Sequence, residues 1–296
     1  VIILKSKIQH PKSNDERMAA LARINRDDLV KAWGFEHVQP ARPLLDRLFR
    51  RPARRFARQM LVFDGLVGAA GLQAGGAWAL GQFAGNVVVR GHEHLPASGP
   101  LLLAANHPGL YDTLALFAAI PRPDLRVIAA DRPFLRALPN VSHHLISLQE
   151  DAPERMAVVR SATRHMRAGG AVLTFPGGHI EPDPAVLPGA VAALSAWSNS
   201  LALFARLVPD VTIVPIIVSG VFSPAALHHP LTWLRRRPED RHLLAATLQL
   251  LFPNLQQGTL RVDIGPPLRH DQSNPESISQ RVAASARQLI ERVSTG

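Results

Sequence analysis

The chain of 296 residues has no cysteine. That excludes disulfide staples and thiol catalysis, and says little about compartment. No run of 18 strongly apolar residues is present, so no membrane-spanning helix is expected. The apolar opening Val1–Leu4 is too short for a secretory signal, and none is expected. The chain opens at Val1 and not at Met, which leaves its true N-terminus undecided. Aromatic residues make up 5%, few for base stacking, and no nucleic-acid recognition motif is visible. A Gly-x-Ser-x-Gly elbow is missing, as are internal repeats and low-complexity tracts. Charged residues are only 19%, with 23 acidic against 33 basic, a net charge of +10. Hydrophobic residues reach 47%, enough to build the core of one large domain or of a domain with an appendage.

The positive charge is unevenly spread. Residues 41–60 hold seven Arg and one acid, Asp46. Arg47, Arg51, Arg54, Arg55 and Arg58 share one side at helical spacing, with Leu45, Leu48, Phe49 and Phe56 elsewhere on the wheel. Pro52 is expected to kink this helix or open a second one. From Gly65 to Val89 no charge follows, and Trp78 and Phe83 lie inside. Gly71-x-x-x-Gly75 and Gly81-x-x-x-Gly85 permit close helix contact. The pair reads as a basic helix attracted to anionic headgroups, then a helix in the membrane interface or in a short helical hairpin. A solvated face and an ordinary amphipathic core helix are the plain alternatives.

Residues 1–85 read as an N-terminal helical segment, with a helix expected from 15 to 34. Residues 86–296 read as one α/β domain. Strands are expected at 86–90, 101–105, 125–130, 145–148, 171–175, 211–218 and 259–264. Helices are expected at 153–168, 189–207, 242–251 and 275–293, with Gly169-Gly170 stopping the first. The strands are apolar throughout, which points to a mixed, largely parallel central sheet flanked by helices. Pro215 within the 211–218 strand suggests a sheet edge or a bulge. Ligands gather at the carboxyl ends of strands in such sheets. Three loops follow strand ends, 106–112, 176–184 and 219–224, and are expected to converge on one edge.

The first loop carries the clearest chemistry. His107 leaves a strand and Asp112 opens a helix, so an imidazole and a carboxylate can meet. A carboxylate on one ring nitrogen fixes the tautomer and makes the other a better base. His10 and Asp15 have the same spacing, but in a polar stretch with no strand ahead of them. Asp112 also suits the cap of a helix beginning near Thr113. In the second loop, Phe175-Pro-Gly-Gly-His-Ile-Glu181 leaves a buried strand through a Pro-Gly-Gly turn. The pair His143-His144 lacks convergent partners and is expected to be structural, with no metal site.

These loops together resemble the glycerophospholipid acyltransferase family, whose best-known members acylate glycerol 3-phosphate or lysophosphatidic acid. The likeness covers roughly residues 86–268. The family's Asn-His-x4-Asp is matched by Asn106, His107 and Asp112. Its Phe-Pro-Glu-Gly-Thr-Arg-Ser corresponds to residues 175–181, where Phe175, Pro176 and Gly178 agree and Gly177, His179 and Ile180 replace Glu, Thr and Arg. Its Val-Pro-rich strand is matched by Val214-Pro-Ile-Ile-Val218. The family's Arg is credited with gripping the acceptor's phosphate. A second Arg, usual at the end of another strand, is missing from Leu145–Glu150. Arg155, Arg160 or the basic loop 233–237 are candidates to supply that charge. An acceptor without a phosphomonoester is thereby left open.

The resemblance implies transfer of a fatty acyl group from a thioester, acyl-CoA or acyl-carrier protein, to a hydroxyl of a lysophospholipid, glycerol phosphate or related lipid. It implies His107 as general base and Asp112 as its orienting partner. Asn106, Gly109, Phe175, Pro176, Gly177, Gly178, His179 and Glu181 are implied as substrate-binding. Backbone N–H groups at Gly177-Gly178 or in the 106–109 turn are candidates for holding the tetrahedral oxyanion. The thioester is a co-substrate, and no resident cofactor is implied. The implied setting is a membrane surface with anionic lipids, as a peripheral protein on the cytoplasmic face, without nucleic acid. A non-catalytic lipid-binding relative of the same fold is the second reading. A nucleic-acid binder using the Arg-rich helix is the third.

Overall fold

A computed structural model describes residues 13–35, 42–109, 111–148, 152–197, 200–256, 258–269 and 277–295. His10 and the first residues of the helix expected at 275–293 lie outside these. The strands are β1 (Asn86–Arg90), β2 (Leu101–Ala105), β3 (Arg126–Ala130), β4 (Leu145–Leu148), β5 (Ala171–Thr174), β6 (Thr212–Ser219), β7 (Thr259–Ile264) and β8 (Leu268–Arg269). They form one sheet in the order β1-β7-β6-β2-β5-β3-β4, with β8 also paired to β6. Only the pairings of β6 with β7 and β8 are antiparallel. The sheet is therefore mixed and largely parallel, as its apolar strands imply.

The helices are α1 (Asn14–Ala32), α2 (Arg42–Phe83), α3 (Asp112–Ala119), α4 (Pro133–Arg136), α5 (Pro139–His143), α6 (Ala152–Arg167), α7 (Ala190–Ala193), α8 (Ser200–Leu207), α9 (Pro224–Leu227), α10 (Pro238–Leu251) and α11 (Ile278–Thr295). The central strand β2 is buried along its whole length. Leu101, Leu103 and Ala105 pack with residues of α2 and α3 on one face. Leu102 and Ala104 pack with residues of α6, α8 and α11 on the other. Side chains alternate across a strand, so five apolar residues in a row feed two cores at once.

The basic and uncharged stretches form one long element with a break. The helix runs on through Pro52, and the break falls at Gly71 (φ 84°, ψ 174°), a conformation open to glycine. The rings of Phe56 and Phe83 lie 5.5 Å apart. Twenty-seven residues of straight helix would separate them by about 40 Å. The arms therefore fold back on each other at Gly71. A Cβ on Gly75 would fall 2.5 Å from Val67 Cγ2, which accounts for the small-residue spacing. The hairpin is the geometry found, and the kink expected at Pro52 is not. By length and composition Pro43–Phe83 could cross a membrane, and 39% of its apolar window is buried in the protein. That long apolar stretch is consistent with membrane association. Helix α1 begins with a reciprocal Ser13–Glu16 capping box. It is tied to the hairpin by an ion pair between Arg17 and the buried Asp64, which also accepts the Val141 N–H at 3.0 Å.

Two further expectations are corrected. The helix expected across 189–207 is broken: α7 passes into a 3-10 turn, and Trp197 turns to extended backbone (ψ 116°). The residues from Trp197 to Ser200 are weaker helix formers than the Ala-rich stretch before them. Pro215 lies in an interior strand, not at an edge. It pairs with Ala104 of β2 on one side, and on the other faces the gap between β7 and β8, where its carbonyl accepts the Gly265 N–H at 2.8 Å. Its missing donor costs nothing because the partner strand is interrupted there.

Candidate active site

Strands β6, β2 and β5 are adjacent and parallel, so their carboxyl ends share one edge. The three loops meet there through specific bonds. Glu181 N–H donates to the His107 carbonyl at 2.8 Å. The buried Asp183 accepts N–H groups from Gly220 at 2.8 Å and Phe222 at 3.0 Å. Tyr111 donates its hydroxyl to the Val221 carbonyl at 2.9 Å and accepts from Gln249 on α10. The carbonyl of Val221 also accepts from Gln249 at 2.8 Å.

His107 leaves β2 and Asp112 opens α3, and their side chains meet. His107 Nδ1 lies 2.7 Å from Asp112 Oδ2. The same Oδ2 accepts the Gly109 N–H at 2.8 Å, and Oδ1 accepts from Thr113. Asp112 is 1% exposed, while the His107 side chain is 30% exposed. With Nδ1 bound to the carboxylate, Nε2 remains the nitrogen for solvent or substrate. The Phe175 ring lies 4.5 Å from the imidazole and tilts 32° to it. Burial pulls the His107 titration down, but the hydrogen bond and charge of Asp112, with the charge of Glu181, outweigh it and leave it raised. The Asp112 carboxylate thus meets the ring through Oδ2 and also accepts the Thr113 N–H in the first turn of α3 through Oδ1.

The remaining sequence candidates divide. Asn106 is 2% exposed and spends its amide on β6: Nδ2 donates to the Val218 carbonyl at 2.9 Å, and Oδ1 accepts the Val218 N–H at 2.7 Å. These bonds clamp the end of β2, next to His107, to β6. Gly109 (φ 90°) has its N–H taken by Asp112, and Gly178 (φ 69°) donates to the Phe175 carbonyl at 3.0 Å. Neither is an oxyanion donor as expected. The N–H of Gly177 has no hydrogen-bond partner among the described residues. Pro176 is buried beneath the turn, and His179 is exposed, its Nδ1 2.6 Å from the Gly177 carbonyl.

Glu181 faces inward. It is 3% exposed, and both its oxygens accept from the Trp197 indole N–H at 3.3 Å. Burial pushes its carboxyl up to about 7, against the pull of Trp197, His179 and His107. Sequence reasoning missed Trp197, Asp183 and Gln249. A Trp inside an Ala-rich pattern carried no signal of a carboxylate partner 16 residues away. The charges acting on His107 and Glu181 are Asp112, His179 and one another. Arg155, Arg160 and the 233–237 loop do not appear among them, and Arg235 is turned to Asp240 at 3.0 Å. His144 donates toward the Leu125 carbonyl at 3.2 Å, a structural bond. Among the described residues no group of three or more metal-ligating side chains is assembled.

Residues 86–219 match the family model described as Acyltransferase. Comparison with curated proteins finds no match. Among solved structures, the 1-acyl-sn-glycerophosphate (LPA) acyltransferase PlsC from Thermotoga maritima is similar, with a TM-score of 0.51 and 18% identity. The likeness spans 92% of this chain and 97% of that one, and at this identity it is a likeness of fold.

Proposed function

We propose that this acyltransferase moves a fatty acyl group from acyl-CoA or acyl-carrier protein to a hydroxyl of a lysophospholipid, glycerol phosphate or related lipid acceptor. The observation that carries the proposal is the 2.7 Å contact of His107 Nδ1 with the buried Asp112, at a sheet edge where the ring stays partly exposed. His107 Nε2 takes the acceptor's hydroxyl proton as the oxygen attacks the thioester carbon. The negative charge of the tetrahedral intermediate settles on the former carbonyl oxygen, beside the N–H of Gly177. The intermediate collapses, the C–S bond breaks, and the imidazolium returns its proton to the leaving thiolate. Asp112 holds the ring and stabilises the imidazolium in between. General-base help of this kind is typically worth about 10²–10⁴-fold. Asn106 and Glu181 act as positioning residues, and Phe175 packs on the base.

The basic surface of α1 and α2, with Arg23, Arg26, Arg47, Arg50 and Arg54 close together, supports docking as a peripheral protein on anionic lipids of the cytoplasmic face. Residues 1–85 are proposed as the docking segment and 86–296 as the catalytic domain. No resident cofactor and no nucleic-acid partner are proposed. The test is thiol release from long-chain acyl-CoA and acyl-carrier protein with a panel of lysolipids and glycerol 3-phosphate, comparing intact protein with His107→Ala. Acceptor-dependent release lost in the variant supports the reading. Release unchanged by the substitution removes His107 as the base.

A further inference from the structure

Among the described residues, Trp233 and Leu234 are the only consecutive pair of exposed large apolar side chains, at 77% and 61%. An isolated exposed apolar residue is ordinary, but a pair held outward by its neighbours is not. The two close the 3-10 turn Pro230–Leu234, between α9 and α10. Thr232, just before them, is buried and donates its hydroxyl to the His229 carbonyl at 2.7 Å. The Leu231 N–H donates to His229 Nδ1 at 3.3 Å. Arg235, just after them, pairs with Asp240 at 3.0 Å, and its carbonyl accepts from the Arg241 side chain at 2.8 Å. With both flanks fixed, the indole and the Leu234 side chain stand in solvent on a rigid turn.

The turn lies against the end of α1, where a Cβ on Gly34 would fall on the Arg235 guanidinium. At the same end, Trp33 packs on Phe49 of α2, with ring centroids 5.8 Å apart. Leu44 and Leu48, one helical turn apart on that stretch of α2, are exposed as well. Apolar side chains from two distant stretches of chain thus flank one end of α1. Exposed arginines accompany both. Arg236 and Arg237 follow Leu234, with Glu239 the exposed acid beyond them, and Arg47, Arg50 and Arg54 accompany Leu48 on α2. A bilayer surface presents the matching layers: hydrocarbon for leucine, an interface that suits the indole, and anionic head groups for arginine.

We propose that the Trp233–Leu234 turn inserts into the interface of an anionic bilayer, as an anchor on the α/β domain separate from the arginines of the hairpin. The inference rests on the peripheral-docking reading and adds to it a side chain that penetrates the lipid. The anchor is tied to the candidate active site through α10. Phe222, in the 219–224 loop, lies 6.3 Å from His242, and Gln249 bonds Tyr111 and Val221. Insertion therefore brings the 219–224 loop close to the lipid surface.

The chain has no cysteine, so Leu234→Cys accepts a nitrobenzoxadiazole label with no background. The full-length labelled protein is mixed with vesicles of phosphatidylcholine and phosphatidylglycerol, and sedimentation measures binding in parallel. Ser98→Cys, exposed before the start of β2 and so at the far edge of the sheet, is the control. The label at position 234 should brighten and shift to the blue, and bromine placed high on the lipid chains should quench it. The label at position 98 should not respond. Trp233→Glu should weaken sedimentation by about tenfold or more, the scale of losing part of the burial of an indole, and Trp233→Phe should keep most of the binding. Circular dichroism of each variant confirms that it is folded. A silent label at position 234 on bound protein, or binding unmoved by Trp233→Glu, overturns the insertion and leaves docking to the hairpin. Failure of the intact chain to bind vesicles overturns the docking reading with it. Dimers that form without lipid, brighten the label at position 234 and are dissolved by Trp233→Glu assign the turn to a second copy of this chain and overturn the proposal too.

Discussion

His107 and Glu181 are joined twice: the Glu181 N–H donates to the His107 carbonyl at 2.8 Å, and the Glu181 carboxylate raises the titration of the His107 ring. A backbone bond fixes their separation, so the charge coupling belongs to the fold. As a base His107 must be neutral, and activity falls as pH drops through its raised pKa. Glu181→Gln removes a charge that favours the imidazolium. The acid limb of kcat/KM against pH should move to lower pH, with kcat on the plateau little changed. An acid limb that stays in place would show that Glu181 does not act on the base.

Asp112→Asn tests the other side of the imidazole. The amide keeps the size of the side chain but loses the charge that holds the Nδ1–H tautomer and stabilises the imidazolium. We expect kcat to fall by about 10²–10⁴-fold, close to the loss for His107→Ala. The two together should cost little more than either alone, because they act as one unit. Additive losses would assign Asp112 a separate role.

The Trp197–Glu181 contact predicts a pH-dependent stability. Glu181 titrates at about 7 in the folded protein, against an ordinary value of 4.5. Between these values the folded state holds a proton that the unfolded state has released, so this group makes stability fall as pH rises through that window. The indole N–H opposes the shift. Trp197→Phe removes it, so the decline should extend to higher pH. The loss of a bond to a buried carboxylate should cost about 1–3 kcal/mol at alkaline pH. Chemical denaturation at pH 5 and pH 8.5 measures both effects, with a larger penalty expected at pH 8.5.

What could be read from the sequence follows from range. Asn106, His107 and Asp112 lie within one strand–loop–helix unit, so the spacing together with the flanking strand and helix brings the ring and the carboxylate together. The apolar strands imply a largely parallel sheet, and parallel pairing places the carboxyl ends of β2, β5 and β6 on one edge. The clamp that Asn106 makes was not legible because its partner, Val218, is 112 residues away on β6. The donors at Gly109 and Gly178 were misjudged because local turn bonds had already taken them. Pro215 reads as an edge or bulge residue, and nothing in its own strand tells that the irregularity lies in its neighbour, between β7 and β8. The Ala-rich stretch before Trp197 favours a helix, but Trp197-Ser-Asn-Ser200 are weak helix formers, and the contact of Trp197 with Glu181 is one that periodicity does not report.

Asn106 leads to a prediction that separates positioning from contact. Its amide satisfies both the N–H and the carbonyl of Val218 inside the protein. Asn106→Ala leaves both groups buried and unpaired, at a cost of about 1–3 kcal/mol each before relaxation. Thermal unfolding should show that loss. If Asn106 only anchors the His107 loop, kcat should drop while KM for the acceptor stays near its original value. A rise in KM at constant kcat would mean that the side chain touches substrate.

The hairpin in α2 gives the last test. Gly75 packs so closely on Val67 and Phe63 that an added Cβ would lie 2.5 Å from Val67 Cγ2. Gly81 has open space at the same position. Gly75→Ala should therefore force the arms apart and destabilise the protein by about 1–3 kcal/mol, as overpacking does. Gly81→Ala fits without a clash and replaces a helical glycine, so it should be neutral or stabilising by up to about 1 kcal/mol. The contrast matters because glycine spacing alone treats the two positions alike. Equal melting temperatures for the two variants would mean that the arms do not fold back at Gly71. They would then be free to extend as one helix.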